Sequence, residues 1–197
     1  MSAMELDLPA ALAQRGALLE GHFRLSSGRH SDRFVQKFRI LEDPTLLEPV
    51  ARAIAARFRD TAPTLVIAAA VGGILLAYET ARQLGTKAIF VEKENGVPVL
   101  RRGFAIAPED RVLIVEDVVT TGLSVREVVD VVRRSGAEIV GIGAIILRQS
   151  VDKLRTTLGQ ALEFQPLLEL PLASYDESEC PQCRGGVPLS DPGSRRA

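Results

Sequence analysis

The sequence is poor in the residues that build disulfide scaffolds and nucleic-acid surfaces. It has no tryptophan, two cysteines and two histidines among 197 residues, and only four of its 24 basic residues are lysines. Two cysteines cannot supply a disulfide framework, and a chain of this length buries enough surface to fold without one. The formal net charge of -1 leaves no excess of cations for binding phosphate backbones, so we expect no nucleic-acid partner.

The sequence also lacks a recognisable targeting segment and a membrane-spanning run. Its first residues have neither the basic flank nor the apolar core of a signal peptide. The most apolar stretch, residues 65–77, is about 13 residues long, whereas a membrane helix needs about 20 apolar residues. We therefore expect a cytoplasmic protein with no membrane partner.

Apolar runs and helical patterns alternate along the chain. Runs rich in branched residues predict strands at 64–70, 88–91, 112–115 and 138–147, with an edge strand at 161–170. Apolar residues at helical spacing predict helices at 8–19, 44–58, 75–84 and 125–135. Because this alternation is typical of a parallel sheet covered on both faces, the sequence predicts an α/β fold. From Ser174 onward, polar residues with Gly and Pro predict a surface tail.

Both cysteines lie in one motif near the C-terminus, Cys180-Pro181-Gln182-Cys183. Such a pair is typical of a plain reduced turn, of half a zinc site, or of a redox pair. Zinc needs two further ligands, and His22 and His30 are remote in sequence. A thioredoxin-like pair begins a helix in a βαβ unit, unlike this Gly- and Pro-rich segment. The sequence therefore assigns no certain metal ligand and leaves the three interpretations open, with the reduced turn first.

The segment at residues 112–124 carries the clearest chemistry. An apolar strand ends in Glu116 and Asp117, and Thr120, Thr121 and Gly122 lead into a helix. Free N–H groups at a helix start suit a phosphate, and the carboxyl ends of parallel strands are where such sheets bind ligands. Acids beside a phosphate loop would repel a phosphate, but they can bind hydroxyls. A ligand that carries both a phosphate and neighbouring hydroxyls is a sugar phosphate. The structural alternative is an acidic pair that caps an ordinary strand-to-helix turn.

This segment resembles the phosphoribosyl-diphosphate signature of type I phosphoribosyltransferases, in the version found in the orotate phosphoribosyltransferase family. Residues 25–34 resemble the family's segment that closes over the base, and residues 69–74 lie where the family has its diphosphate loop. Residues 145–148 resemble the strand whose arginine holds the orotate carboxylate. The ending, residues 179–195, is similar to that of a bacterial subgroup that includes Thermus enzymes.

The resemblance implies one domain over residues 1–197, with a mostly parallel central sheet flanked by helices. Residues 41–170 would form the core, and residues 1–40 with the C-terminal segment would form a small hood. The implied reaction is transfer of the phosphoribosyl group to N1 of orotate with Mg²⁺, in a homodimer that shares a mobile loop between subunits. Two alternatives stay open: transfer to a purine or to uracil, and a non-catalytic regulator that senses phosphoribosyl diphosphate.

The resemblance also implies a role for each matching residue. Glu116 and Asp117 would bind the ribose hydroxyls, with Asp117 also catalytic. The 5′-phosphate would be held by Val118, Val119, Thr120, Thr121 and Gly122, and the diphosphate by Gly72 and Gly73. Orotate would be held by Phe34, Thr120 and Arg148.

The mobile loop, residues 92–102, departs from the family pattern. Lys93 is the one loop cation that stays in register, and the resemblance makes it catalytic and a ligand of the diphosphate. Ser26 stands where the family commonly has another lysine, and Ala68-Ala69 stands where it often has Gly-Pro. We expect Arg101 or Arg102 to replace the missing charges on the diphosphate.

Overall fold

A computed structural model describes residues 6–25, 27–159 and 162–192. Ser26 and the parts of the predicted segments that fall on residues 1–5, 160–161 and 193–197 lie outside the described residues. Within the described ranges, no helix combines the length and the apolar character needed to cross a membrane.

The described residues form seven α-helices and eight strands between residues 8 and 184. The helices are α1 (Leu8–Gln14), α2 (Phe38–Leu41), α3 (Pro44–Phe58), α4 (Gly73–Leu84), α5 (Leu123–Ser135), α6 (Val151–Leu158) and α7 (Pro181–Arg184). The strands are β1 (Leu18–Arg24), β2 (His30–Val35), β3 (Leu65–Ala69), β4 (Lys87–Glu94), β5 (Val97–Val99), β6 (Arg111–Val119), β7 (Glu138–Leu147) and β8 (Phe164–Glu169).

Six strands form the central sheet, in the order β5-β4-β3-β6-β7-β8. Neighbouring strands from β4 to β8 are parallel, and β5 pairs antiparallel with β4 at one edge. Alternate residues of a strand pack on opposite faces: Val66 belongs to the cluster that contains α3 and α4, and Ile67 to the cluster that contains α5. The predicted mostly parallel sheet flanked by helices is thus confirmed, and its burial on both faces explains the continuous apolar runs.

The N-terminal segment departs from the sequence prediction. The helix expected over residues 8–19 ends at Gln14, so the predicted C-terminal end is wrong. Gly16 takes a positive φ of 58°, which ends the helical path, and Leu18 and Leu19 instead pair with Val35 and Phe34. The apolar spacing continues past residue 14 because the next strand is also apolar. This antiparallel β1–β2 hairpin forms a two-stranded sheet separate from the central one.

The segment after Ser174 is not the plain surface tail that its composition predicts. Tyr175 forms an antiparallel bridge to His30 of β2, and Ser190 forms a parallel bridge to Phe23 of β1. The Ser190 N–H donates to the His22 carbonyl at 2.8 Å. Because backbone bridges do not depend on apolar side chains, polar composition does not exclude docking. We call the β1–β2 hairpin together with residues 173–192 the hood.

Candidate active site

Two neighbouring acids lie inside β6, at the centre of the sheet. Glu116 is 8% exposed and Asp117 is 1% exposed. They occupy successive strand positions, so their side chains leave opposite faces of the sheet. Glu116 lines a cavity beside the following loop, whereas Asp117 points toward Lys37 and Gly72. The two carboxylates thus face two different parts of the candidate site.

Lys37 is the partner of Asp117, and sequence reasoning missed it. Its Nζ lies 2.9 Å from Asp117 Oδ2 and 3.1 Å from Asp117 Oδ1. Lys37 follows the hood strand β2 by two residues, so the ion pair ties the hood to the central sheet. The available signal was weak: Lys37 is one of four lysines in an arginine-rich chain and stands just after the segment that resembles the family.

Gly72 permits a close approach between the loop after β3 and this ion pair. A Cβ at Gly72 would lie 2.1 Å from Asp117 Oδ2 and 2.8 Å from Lys37 Nζ. No side chain fits there without displacing both charged groups. The predicted diphosphate loop therefore runs directly against the carboxylate–ammonium pair. The adjacent Gly73 begins α4 and is packed against Ala68, whose Cβ would lie 2.6 Å from a Cβ at Gly73.

The loop after β6 surrounds a cavity of about 240 Å³ at the start of α5. It is lined by Ser27, Lys93, Glu116 and residues 118–125. Gly122 has a φ of 84°, which a residue with a side chain rarely adopts, and places the loop at the N-terminus of a 13-residue helix. Free N–H groups and the positive end of the helix dipole face such a position, so the cavity suits a phosphate. The residues from Val118 to Gly122 are brought together here as the sequence predicts.

A second cavity of about 710 Å³ adjoins the first. Its lining residues are Leu25, Arg29, Thr120, Thr121, Arg148, Gln149, Lys153, Leu172 and Ser174. Thr120 and Thr121 line both cavities, so ligands in the two cavities would meet at these threonines.

Arg148 and Gln149 present unsatisfied donors to this region. Arg148 Nε and Gln149 Nε2 are buried and have no hydrogen-bond partner within the described part of the chain. The Arg148 N–H donates to the Val119 carbonyl at 2.9 Å, which fixes the arginine beside the phosphate loop. Burial lowers the pKa of Arg148 and the charge of Asp32 opposes this, yet a guanidinium keeps its proton at neutral pH. Buried donors without partners favour an anionic acceptor in this cavity.

The predicted mobile loop contains a hairpin. β4 and β5 turn at Asn95-Gly96, where φ is 52° and 82°, as a two-residue hairpin turn requires. Lys93 lines the phosphate cavity and pairs with Glu127 of α5 at 2.7 Å. Arg101 and Arg102 lie outside both cavities, exposed and paired with Glu94 at 3.0 Å and Glu92 at 2.8 Å.

Phe34 is also placed away from the two cavities. It lies in β2, and its ring centroid is 5.8 Å from that of Phe23 in β1. Phe34 is not among the described residues that line either cavity. The structure thus joins Glu116, the loop, Lys93 and Arg148 around one continuous site, and leaves Phe34 in the hood.

The electrostatics of Glu116 lead to a test of stability. Burial raises the pKa of the Glu116 carboxyl well above its usual range, and the neighbouring charge of Asp117 raises it further. A carboxyl whose pKa is raised in the folded state contributes stability below its unfolded pKa of about 4.3. That contribution is lost as the pH rises toward the folded pKa.

We therefore expect Glu116→Gln to raise the Tm of the ligand-free protein at pH 7.5 by about 2–4 °C, the shift for about 1 kcal/mol. The amide oxygen can still accept the Asp117 N–H that reaches Glu116 Oε1 at 3.0 Å. Calorimetry in magnesium-free buffer should show the difference shrinking as the pH falls to 5. An equal difference at both pH values would contradict this interpretation of Glu116.

Comparisons with known proteins give a consistent result. The model of the phosphoribosyl transferase domain family matches residues 39–158. The chain is 45% identical to the orotate phosphoribosyltransferase of Pelotomaculum thermopropionicum over 96% of this chain and 97% of that protein. It is 48% identical to that of Chlorobium phaeobacteroides over 91% of each chain. The crystal structure of orotate phosphoribosyltransferase from Aeropyrum pernix has a TM-score of 0.67 at 27% identity, over 83% of this chain and 93% of that one.

Proposed function

The chain belongs to the phosphoribosyl transferase family and groups there with the orotate phosphoribosyltransferases, and from this premise we propose how its residues perform the transfer. The enzyme moves the phosphoribosyl group of phosphoribosyl diphosphate to orotate, in pyrimidine biosynthesis. The observation that carries the residue assignment is the pair of adjoining cavities that share Thr120 and Thr121. One suits a sugar phosphate, and the other presents the half-buried arginine that a carboxylate-bearing base needs.

The donor binds at the carboxyl end of β6. The 5′-phosphate lies in the cavity of residues 118–125, where backbone N–H groups, the threonine hydroxyls and the α5 dipole stabilise its charge. Glu116 lines that cavity and accepts hydrogen bonds from the ribose hydroxyls. Asp117 holds the sugar from the side of Gly72, where Lys37 fixes its orientation and offers positive charge next to the diphosphate loop.

The acids beside the donor cavity fit a magnesium-bound donor. Carboxylate oxygens are ligands that Mg²⁺ prefers, and it is held mainly through substrate phosphates. Burial and like charge raise the pKa of Glu116, and a nearby cation would favour its ionised form. We propose that Glu116 and Asp117 would hold the sugar hydroxyls of the magnesium-bound donor. When bound, Mg²⁺ supplies positive charge to the departing diphosphate.

Orotate lies in the second cavity. Arg148 pairs with its carboxylate through the planar guanidinium, and Gln149 supplies a further buried donor. Thr120, common to both cavities, reaches the base from the donor side. We assign Phe34 to the hood that covers the base, since residue 34 belongs to the strand that leads to Lys37.

The reaction breaks the C1–O bond to diphosphate and the N1–H bond of orotate, and it forms the C1–N1 bond. The electron pair of the C1–O bond leaves with the diphosphate oxygen. N1 gives up its proton to solvent or to the departing diphosphate and supplies the electron pair of the new C1–N1 bond. The protein positions the two reactants and stabilises charge on the leaving group. Gly72 and Gly73 let the backbone approach the diphosphate. Lys93 lines the donor cavity and supplies a catalytic cation there, whereas Arg101 and Arg102, which lie outside both cavities of this chain, would supply cations to the neighbouring subunit's diphosphate.

We propose a homodimer in which residues 92–102 reach the neighbouring subunit's site. Three apolar side chains at and after the diphosphate loop, Val71, Leu75 and Tyr78, are 74%, 47% and 67% exposed. Their spacing places Leu75 and Tyr78 on one face of α4, where a second chain would bury them. Hood and core are proposed to act as one domain, because the Lys37–Asp117 pair joins them. The cytoplasmic location stays a prediction.

A diphosphate-release assay tests the function. With phosphoribosyl diphosphate and magnesium, we expect turnover with orotate and at least about 100-fold lower kcat/KM with uracil, which lacks the carboxylate, or with adenine. Without turnover of orotate, the acceptor assignment fails. Equal turnover of uracil would show that Arg148 does not select the base.

A further inference from the structure

Every histidine and every cysteine of the chain lies in one cluster. The sequence has two of each among 197 residues, and all four come together within the hood. His22 and His30 come from β1 and β2, and Cys180 and Cys183 come from the docked C-terminal segment. Their ligand atoms all lie within 4.8 Å of one another. His22, His30 and Cys180 are each at most 3% exposed.

Four of the six distances between these atoms are close to the edges of a tetrahedral metal site, and the other two are at most 4.8 Å. His22 Nε2 is 3.0 Å from His30 Nδ1, 3.5 Å from Cys180 Sγ and 3.6 Å from Cys183 Sγ. His30 Nδ1 is 3.2 Å from Cys183 Sγ. With zinc bonds of about 2.3 Å to sulfur and about 2.0 Å to nitrogen, a tetrahedron has edges of about 3.3–3.8 Å. Movements of about 1 Å would bring the four ligand atoms to these edges around a zinc ion.

The neighbouring backbone prepares His22 for this role. Its Nδ1 lies 2.8 Å from the Val187 carbonyl, an acceptor, so Nδ1 carries the proton. Nε2 then presents its lone pair to the cluster, which is the state that a metal ligand requires. The acceptor belongs to the same C-terminal segment as the two cysteines. In metal sites, a hydrogen bond from the non-ligating ring nitrogen to a carbonyl fixes the orientation of the histidine ring.

We propose that His22, His30, Cys180 and Cys183 bind one Zn²⁺ ion that fastens the C-terminal segment to the β1–β2 hairpin. Two thiolates and two imidazoles are the ligand set that zinc favours, and Mg²⁺ and Ca²⁺, which take oxygen ligands, are excluded. With four protein ligands and no place for water, the site is structural. It would stabilise the hood from which Lys37 reaches Asp117.

The competing states are a metal-free hydrogen-bonded cluster and a disulfide between Cys180 and Cys183. Both thiols are free here. A disulfide would remove both sulfur ligands, and a metal-free cluster would leave both thiols uncoordinated, so that Cys183, the less buried of the two, would react without chelation. The three states therefore differ in metal content and in thiol reactivity, both of which can be measured.

The first experiment measures metal in the full chain, purified without a polyhistidine tag from cells grown with zinc. We expect one zinc per chain by elemental analysis, and two thiols that react with a thiol reagent only after chelation. Cobalt added to the chelated, reduced protein should give the intense visible bands of tetrahedral Co²⁺ and a thiolate charge-transfer band. Reduced protein that neither retains zinc nor shows these bands would overturn the proposal, as would an intramolecular disulfide in freshly purified protein.

The second experiment assigns the ligands. Cys183→Ser and His22→Gln should each weaken zinc binding by at least about 100-fold, since even the loss of a supporting contact costs about 10–100-fold. Asp176→Asn is the matched control, because it removes the 2.7 Å ion pair between Arg29 and the same segment without removing a ligand. It should keep zinc. Full zinc affinity in either ligand variant would overturn the assignment; should a variant fail to fold, cobalt titration of the wild-type chain decides alone.

Discussion

Replacement of Asp117 by Asn is expected to lower kcat/KM for phosphoribosyl diphosphate by about 1000-fold, equivalent to about 4 kcal/mol of transition-state stabilisation. Asp117 is 1% exposed and accepts two contacts from Lys37. The amide keeps the size and one oxygen, which can still accept the Val118 N–H that lies 2.6 Å from Asp117 Oδ1. What it loses is the negative charge that balances Lys37 and binds the sugar hydroxyls.

The Lys37→Met variant separates the two roles of the Asp117 charge, which are to balance Lys37 and to bind the sugar hydroxyls. It leaves Asp117 buried without its cation, and an uncompensated buried charge is more costly than a lysine that can turn to solvent. Lys37, whose side chain is 35% exposed, has that freedom in the Asp117→Asn variant. We therefore expect Lys37→Met to lower the Tm more than Asp117→Asn does, while it reduces turnover less.

Steady-state kinetics and calorimetry on both single variants and the double variant measure the coupling. An Asp117→Asn enzyme within about tenfold of wild type would contradict a catalytic role for the carboxylate, because that loss is only about 1.4 kcal/mol. Additive effects in the double variant would show that the ion pair does not couple the hood to the site.

The central sheet and the donor loop could be predicted because their signals are local. A parallel strand buried on both faces reads as an unbroken apolar run, and the acids at 116–117 interrupt that run where ligands bind. Gly122, the threonines and the start of α5 follow within six residues. The strand predicted at 138–147 has the bounds of β7 in the structure. Fold and donor loop therefore needed no long-range information.

The hood could not be predicted in the same way, because its contacts join distant residues. Lys37 and Asp117 are 80 positions apart, and His22 and Cys180 are 158 apart. Neither pair leaves a periodic pattern. The predicted helix also ran past Gln14, since apolar residues of α1 and β1 follow one another without a change in composition. Sequence remoteness argued against a site of two cysteines and two histidines, and the hairpin removes that argument by bringing both strands to the C-terminal segment.

The second large effect is expected on KM for orotate, when Arg148 of the second cavity is replaced. Arg148→Met is expected to raise KM for orotate by about 100-fold, or about 2.7 kcal/mol, and to change KM for phosphoribosyl diphosphate by less than about threefold. Met preserves the length and apolar packing of a half-buried side chain but removes the charge and the Nε donor, which is buried without a partner in the described chain. Arg148→Lys keeps a charge without the planar fork, so its KM should lie between the two.

The matched control is Arg155→Met, which removes an exposed arginine of α6 that lines neither cavity. It should leave both KM values unchanged, which separates a local contact from a general loss of positive charge. Initial rates with each substrate varied in turn give KM for orotate and KM for phosphoribosyl diphosphate for each enzyme. If Arg148→Met left KM for orotate at the wild-type value, the carboxylate would lie elsewhere in the same cavity, where Arg29 and Lys153 are the other cationic lining residues. The order of the three KM values for Met, Lys and Arg at position 148 therefore decides whether a fixed guanidinium selects the base.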